Sequence, residues 1–225
     1  KVGTTFSCSL VEPYKNHIAD SQAVLRVDAL LNRSFVEPLA GLGYPIQDLK
    51  FLRRLETYIK DGDEGKLAFN MDFIGVQNYT REIVTRSRFI PFLWARTIKA
   101  VSRKVETTDM KWEVYPEGIY HMLHKFSQYK NFKELIVTEN GAAFPDFLIN
   151  GRIHDEKRKA FIQTAMGQVL KAKQEGVKVN GYFIWSFTDN FEWAEGYKPR
   201  FGLVYIDYKT QQRFIKDSGV WFSRF

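Results

Sequence analysis

At 225 residues the chain fits one large domain on the usual scale of roughly 100–200 residues each, and a 44% hydrophobic content excludes a disordered chain. The net charge of +7 raises nucleic-acid binding, but the basic residues are scattered. Lys99, Arg103 and Lys104 form one group and Lys157, Arg158, Lys159, Lys171 and Lys173 another; neither comes with a recognition motif, so both read as solvated surface and no nucleic-acid partner is expected.

In chain order, residues 2–10 (VGTTFSCSL) read as a strand. Residues 20–41 carry apolar side chains at helical spacing, stopped by Gly41, Gly43 and Pro45. A shorter helix is expected over 47–60, then a turn at 61–65 (DGDEG) and a strand at 72–79 (DFIGVQNY). Residues 81–112 are basic and irregular and take no assignment. Pro116 and Glu117 open a helix running to Tyr129. A short apolar strand follows at 134–138, a loop at 141–154, an amphipathic helix at 155–175 closed by Gly176, and an apolar strand at 179–187. Residues 203–208 and 212–215 suit an extended pair, and the last ten residues a helix. This alternation of apolar strands and helices predicts an α/β fold with a parallel sheet, as one domain over 1–225.

The single cysteine, Cys8, excludes an intrachain disulfide and fits a reducing, cytoplasmic setting. No apolar run approaches the ~20 residues that span a bilayer, so no membrane partner is expected. No signal peptide is visible, although the opening residues look like the interior of a longer chain. The four histidines show no ligand pattern beyond His121 and His124, three apart on a helix, and no phosphate loop occurs; neither metal nor cofactor is expected.

Three segments carry candidate chemistry. Val137-Thr138-Glu139-Asn140-Gly141 puts a carboxylate at the end of an apolar strand, where β/α barrels hold catalytic groups; a hairpin turn after an exposed Glu would read the same. Residues 185–193 (WSFTDNFEW) set two indoles and a carboxylate past another strand. Indole faces pack on sugar C–H faces and carboxylates accept hydrogen bonds from hydroxyls, whereas a plain core would not need Asp189, Asn190 and Glu192 among its aromatics. Gln77-Asn78-Tyr79 ends a third strand, with a phenol able to reach a neighbouring carboxylate.

Together these segments resemble glycoside hydrolase family one, the β-glucosidase and β-galactosidase family, and they run in the family's order. Residues 35–39 (FVEPL) with 43–45 (GYP) resemble the segment after the fifth strand, 72–75 (DFIG) the sixth strand, and Trp112 with 115–118 (YPEG) the approach to the seventh. Residues 138–141 (TENG) resemble the nucleophile motif, and 181–186 (GYFIWS) through 190–193 (NFEW), 196–197 (GY) and 200–203 (RFGL) the eighth strand and its loop.

The resemblance implies a (β/α)8 TIM barrel of which this chain supplies roughly strands five to eight, that is, its C-terminal half. It implies a retaining β-glycosidase cleaving terminal β-linked sugars from a small β-glycoside or oligosaccharide. Glu139 takes the nucleophile's position and Tyr79 that of the tyrosine bonded to it. Glu192 matches the carboxylate that binds sugar hydroxyls, Trp185 and Trp193 the indoles of that subsite, and Phe201 an aromatic at its rim. Gln77 departs from the family's Asn two residues before the tyrosine.

Retaining hydrolysis needs two carboxyl groups about 5–5.5 Å apart. The family's acid/base lies in an Asn-Glu-Pro segment of the fourth strand, which this chain lacks; Glu37 sits in a later helical segment and is no substitute. The expected partner is therefore the N-terminal half of the same barrel or a second copy of this chain, and residues 1–225 alone are expected to be inactive. A non-catalytic carbohydrate-binding half-barrel is the alternative. Glu192 would repel a phosphate, which favours an unphosphorylated sugar.

Overall fold

The computed structural model describes residues 1–225. The expected first strand divides into β1 (Gly3–Ser7) and β2 (Leu10–Pro13). The apolar run over 20–41 is two helices, α1 (Ile18–Asp28) and α2 (Ser34–Leu39), separated by a π-turn over Ala29–Arg33. The widened turn brings the buried Asn32 to the β1–β2 junction, where its amide accepts from Ser9 N at 3.1 Å and donates to Ser9 O at 2.9 Å.

The helix expected over 47–60 is a 3₁₀ helix, Lys50–Thr57. Turn chemistry at 61–65 gives way to α3 (Asp63–Leu67), entered through Gly62 at φ +80°. After β3 (Phe73–Gln77), the unassigned stretch forms β4 (Arg81–Arg86), β5 (Ala95–Thr97) and α4 (Ala100–Arg103). These elements are too short for periodicity to register.

Pro116 and Glu117 lead into α5 (Gly118–Ser127), and β6 spans Glu134–Asn140. The expected loop at 141–154 contains a small hairpin, β7 (Leu148–Ile149) and β8 (Arg152–Ile153), reversed by Asn150 and Gly151, both at positive φ. An Asn-Gly pair suits that mirror-image turn. α6 (Glu156–Gln174) is followed by β9 (Val179–Ile184), which stops short of the expected residue 187. β10 (Val204–Ile206) pairs antiparallel with β11 (Arg213–Ile215), and α7 covers Asp217–Phe222.

The main sheet is parallel, ordered β1-β3-β6-β9. A second sheet, β2-β4-β5, lies beyond the ends of β1 and β3. One face of the main sheet presents Ile74, Val76, Leu135, Val137 and Val179 to Ile119, Met122, Leu123 and Phe126 of α5 and Phe161, Ile162 and Ala165 of α6, forming the large core cluster. Each large aliphatic or aromatic residue buried there contributes roughly 1.5–3 kcal/mol.

The opposite face is small and polar. A Cβ on Gly75 would lie 2.7 Å from Thr5 and 2.8 Å from Thr138, so the glycine lets those threonines meet above it, with hydroxyls 2.5 Å apart. Arg158 corrects the reading of 157–173 as solvated surface: it is wholly buried, on the inward side of α6. No helix is long and apolar enough to cross a membrane.

Candidate active site

Strict alternation along β6 would turn Glu139 the same way as Leu135 and Val137, into the helix-facing core. The register prevents this. Val76 lies opposite Val137, but the next residue, Gln77, lies opposite Glu139, so β6 carries one extra residue there. Such a bulge re-aims a side chain, and it places Glu139 level with Gln77 at the end of the sheet.

Asn140 and Asn78 fix the bulge from beneath. Asn140 Nδ2 donates to Asn78 O at 2.6 Å and Tyr182 Oη donates to Asn140 Oδ1 at 2.7 Å. Asn78 Nδ2 donates to the carbonyls of Cys8 and Thr80, each at 3.0 Å. Both asparagines are buried. Their satisfied amides knit the ends of β1, β3, β6 and β9 into one rigid rim.

Tyr79, just past β3, donates its hydroxyl to Glu139 Oε2 at 2.5 Å. Burial, that hydrogen bond and the negative charges of Glu139 and Glu192 hold the phenol well above its ordinary range, so it remains a donor. The Tyr79 ring is 5.4 Å from Trp112 and 6.1 Å, edge-on, from the buried Phe201; Trp112 and Phe201 are 6.3 Å apart. Trp112 and Phe201 thus pack on the ring of the tyrosine that bonds the carboxylate.

Gly141 brings the next strand end close. A Cβ there would sit 1.9 Å from Trp185 O, so only glycine admits this approach. Trp185 N donates to Asn140 O at 2.9 Å, and the Trp185 indole donates to Glu192 Oε2 at 3.3 Å. Phe201 is held to the same strand end, since Leu203 N donates to Ser186 O at 2.9 Å.

Behind these loops lies a buried ionic network. Asp189 accepts from Lys216 Nζ and Arg200 at 2.8 Å each and from Gly202 N at 2.9 Å. Lys216 also donates to Asp146 at 2.5 Å. Arg158 donates to Asp146 at 2.9 Å, to Asp155 at 2.5 Å, and to the carbonyls of Ala142, Phe144 and Arg200. Three cations thereby balance three carboxylates. Burial, with the neighbouring Arg158 charge, draws the Lys216 ammonium below its ordinary range, while Asp189 and Asp146 oppose that shift.

Of the residues picked from the sequence, Tyr79, Glu139 and Phe201 come together and Trp185 pairs with Glu192. Gln77 lines up beside Glu139 in register, and its carbonyl accepts from Cys8 N at 2.8 Å, while its side-chain amide makes no hydrogen bond within the chain. Trp193 stands apart, 82% exposed on a short 3₁₀ turn at φ +42°.

Sequence reasoning gave no role to Trp112, and it read Asp189 as a mark of a sugar site, whereas Asp189 is buried in the ionic network. Trp112 lies in the stretch that took no assignment. Arg158 did leave a trace: it sits three and four residues before Phe161 and Ile162, within the apolar stripe of α6.

The model of the family described as Glycosyl hydrolase family 1 matches residues 1–225. Beta-glucosidase A of Thermotoga maritima is 42% identical over 99% of this chain and 50% of its own length. The 1,4-beta-D-glucan glucohydrolase of Thermotoga neapolitana is 39% identical over 99% of this chain and 50% of its own. A solved structure of the family 1 β-glucosidase from Thermotoga maritima superposes with a TM-score of 0.92 at 39% identity, covering 100% of this chain and 50% of that one. The chain therefore spans about half the length of the relatives it matches, and it belongs to glycosyl hydrolase family 1.

Proposed function

We propose that this chain is the C-terminal half of a (β/α)8 barrel, contributing the nucleophile and much of the sugar subsite of a retaining β-glycosidase. The observation that carries the reading is the 2.5 Å hydrogen bond from Tyr79 to Glu139, at the strand end where barrel enzymes place their chemistry. Supporting it are Trp112 and Phe201, packed on the Tyr79 ring, and the Trp185–Glu192 pair. The named activities of the relatives, β-glucosidase and glucan glucohydrolase, point to the same class of substrate.

In this reading Glu139 attacks the anomeric carbon as the glycosidic bond breaks, forming a covalent glycosyl ester. Water then cleaves the ester with retention of configuration. Tyr79 orients the attacking carboxylate and keeps its hydrogen bond as the oxygen's charge changes. Glu192, presented by Trp185, accepts from hydroxyls of the terminal sugar, and Gln77 and Trp193 complete the subsite when substrate is bound. The acid that protonates the leaving oxygen comes from the complementary half of the barrel.

The test is the mass of the intact protein after incubation with a 2-deoxy-2-fluoro β-glucoside bearing a leaving group good enough to depart without an acid. One added sugar, mapped to Glu139 and absent in Glu139→Gln, is the expected result. An unchanged mass for the intact protein would overturn the assignment.

A further inference from the structure

A second aromatic constellation lies away from Glu139, on the loop between β4 and β5. Phe92 and Trp94 both hold positive φ, +69° and +50°. Leu93 between them packs inward against two small core clusters. The loop therefore alternates out, in, out. Phe92 and Trp94 are turned to solvent at 63% and 47% exposure. The left-handed region costs a non-glycine residue roughly 1–2 kcal/mol. A loop that only reversed the chain would use Gly or Asn at such positions.

The pose is fixed rather than loose. Arg26 Nε donates to Leu93 O at 2.7 Å and its Nη2 to Trp94 O at 3.2 Å. Trp94 N donates to Ile90 O at 2.8 Å, and Phe92 leans on Phe51 with ring centroids 5.7 Å apart.

The two rings border an open cleft of about 530 Å³ whose other walls carry Leu25, Arg26, Gln22, Gln47, Asp48 and Lys50. Asp48 is engaged by Arg33 at 2.6 Å. The amides of Gln22 and Gln47 and the ammonium of Lys50 are exposed and make no hydrogen bond within the chain. Here two rigid aromatic faces stand beside separated amide groups, each able to donate and to accept. That is the chemistry of a pyranose, whose C–H faces stack on rings while its equatorial hydroxyls need donors and acceptors at the edge.

We infer that Phe92 and Trp94, with Gln22, Gln47 and Lys50, form a second carbohydrate-binding site, for a β-linked glucan chain, separate from the Glu139 site. The stacking chemistry stands alone; the choice of a β-linked glucan rests on the reading proposed above. β-Linked glucose units carry every substituent equatorially, leaving flat C–H faces for consecutive rings, and a surface site would hold a chain near the cleft that trims its end.

Affinity electrophoresis of the intact protein through gels containing soluble mixed-linkage β-glucan tests this, with dextran as the α-linked control. Retardation by the β-glucan alone is expected. Trp94→Ala should weaken it at least fivefold, Trp94→Tyr should largely keep it, and Glu139→Gln should leave it unchanged. Circular dichroism verifies the fold of each variant. Equal retardation of Trp94→Ala and the parent, or none for either, overturns the proposal. Loss of self-association in Trp94→Ala with glucan retardation intact also overturns it and makes the patch a contact between copies. Labelling of Glu139 by the fluoroglucoside, run on the same variants, reads the catalytic proposal independently: it should persist in Trp94→Ala, and its absence with retardation intact would remove the catalytic reading and leave the surface site standing.

Discussion

The shortest functional contact in the site is a phenol on a carboxylate. A tyrosine hydroxyl held well above its ordinary range by burial and by two negative neighbours serves as a fixed donor and nothing else. Tyr79→Phe keeps the ring against Trp112 and Phe201 and removes only the hydroxyl. Loss of one such preorganised donor costs on the order of 10²–10³-fold in kcat. In the intact protein we expect kcat to fall by about 10²-fold with KM and Tm little changed, read by steady-state kinetics and thermal melting. A fall of less than about threefold would mean that Glu139 is oriented by other groups. Tyr79 and Glu139 stood out in the sequence as a phenol and a carboxylate ending apolar strands, and Phe201 only through the resemblance to the family. Trp112 did not, because its neighbours form turns and bridges with no period, and its role appears only when its ring meets Tyr79.

At the scale of elements, the site depends on two departures from regular geometry: the bulge in β6 that re-aims Glu139 and the close approach of Gly141 to Trp185. Neither is visible to an alternation rule, since a one-residue register shift exists only in the pairing of two strands. β3, β6, α5 and α6 were legible because each buries an apolar face. β4, β5 and α4 were not, because each is too short for a period to register; β4 and β5 bury Val84 and Ala95 in a small apolar cluster, and ion pairs tie β4 to α4. Glu113 shows this. Arg81 of β4 bonds it at 2.8 and 2.9 Å and Arg103 of α4 at 2.6 Å. Burial alone would raise its carboxyl, but the two guanidinium groups outweigh burial and draw it down to about 2. A carboxyl depressed in the folded state stabilises the fold above its ordinary value near 4.5. That contribution disappears as pH falls through about 2. Solvent screening of the partly open ion pairs brings it to on the order of 1–2 kcal/mol. Melting between pH 7 and pH 2 should therefore show Glu113→Gln well below the parent at neutral pH, with the gap closing between pH 5 and pH 2. A gap independent of pH would exclude the ion pairs as its source.

Across the whole molecule, the buried network and the unfinished sheet decide what the chain can do. Lys216, from the start of α7, joins Asp146 and Asp189, and through Asp189 it holds Gly202 and the loop that carries Phe201. Lys216→Met would leave two carboxylates short of a cation in the interior, a loss of about 3–5 kcal/mol. Because Asp189 also stations the loop beside Trp185 and Glu192, KM should rise severalfold at temperatures where the variant is still folded; stability loss with unchanged KM would confine the network to structure. The sheet imposes the larger limit. β1 and β9 each pair on one side only, and Thr5, Ser7 and Phe183 lie exposed on the main sheet. Unpaired edges seek strands, and the chain spans about half the length of its relatives. On the reading proposed above, residues 1–225 alone should give no measurable hydrolysis of 4-nitrophenyl β-glucoside, because they hold no Asn-Glu-Pro segment to supply the acid of the retaining pair. Mixing with a separately produced N-terminal half of a family 1 barrel should restore turnover that Glu139→Gln abolishes. Turnover by residues 1–225 alone would mean that a second copy, or a carboxylate within this chain, supplies the acid. Sedimentation would separate those two cases, since only the first ties activity to dimer.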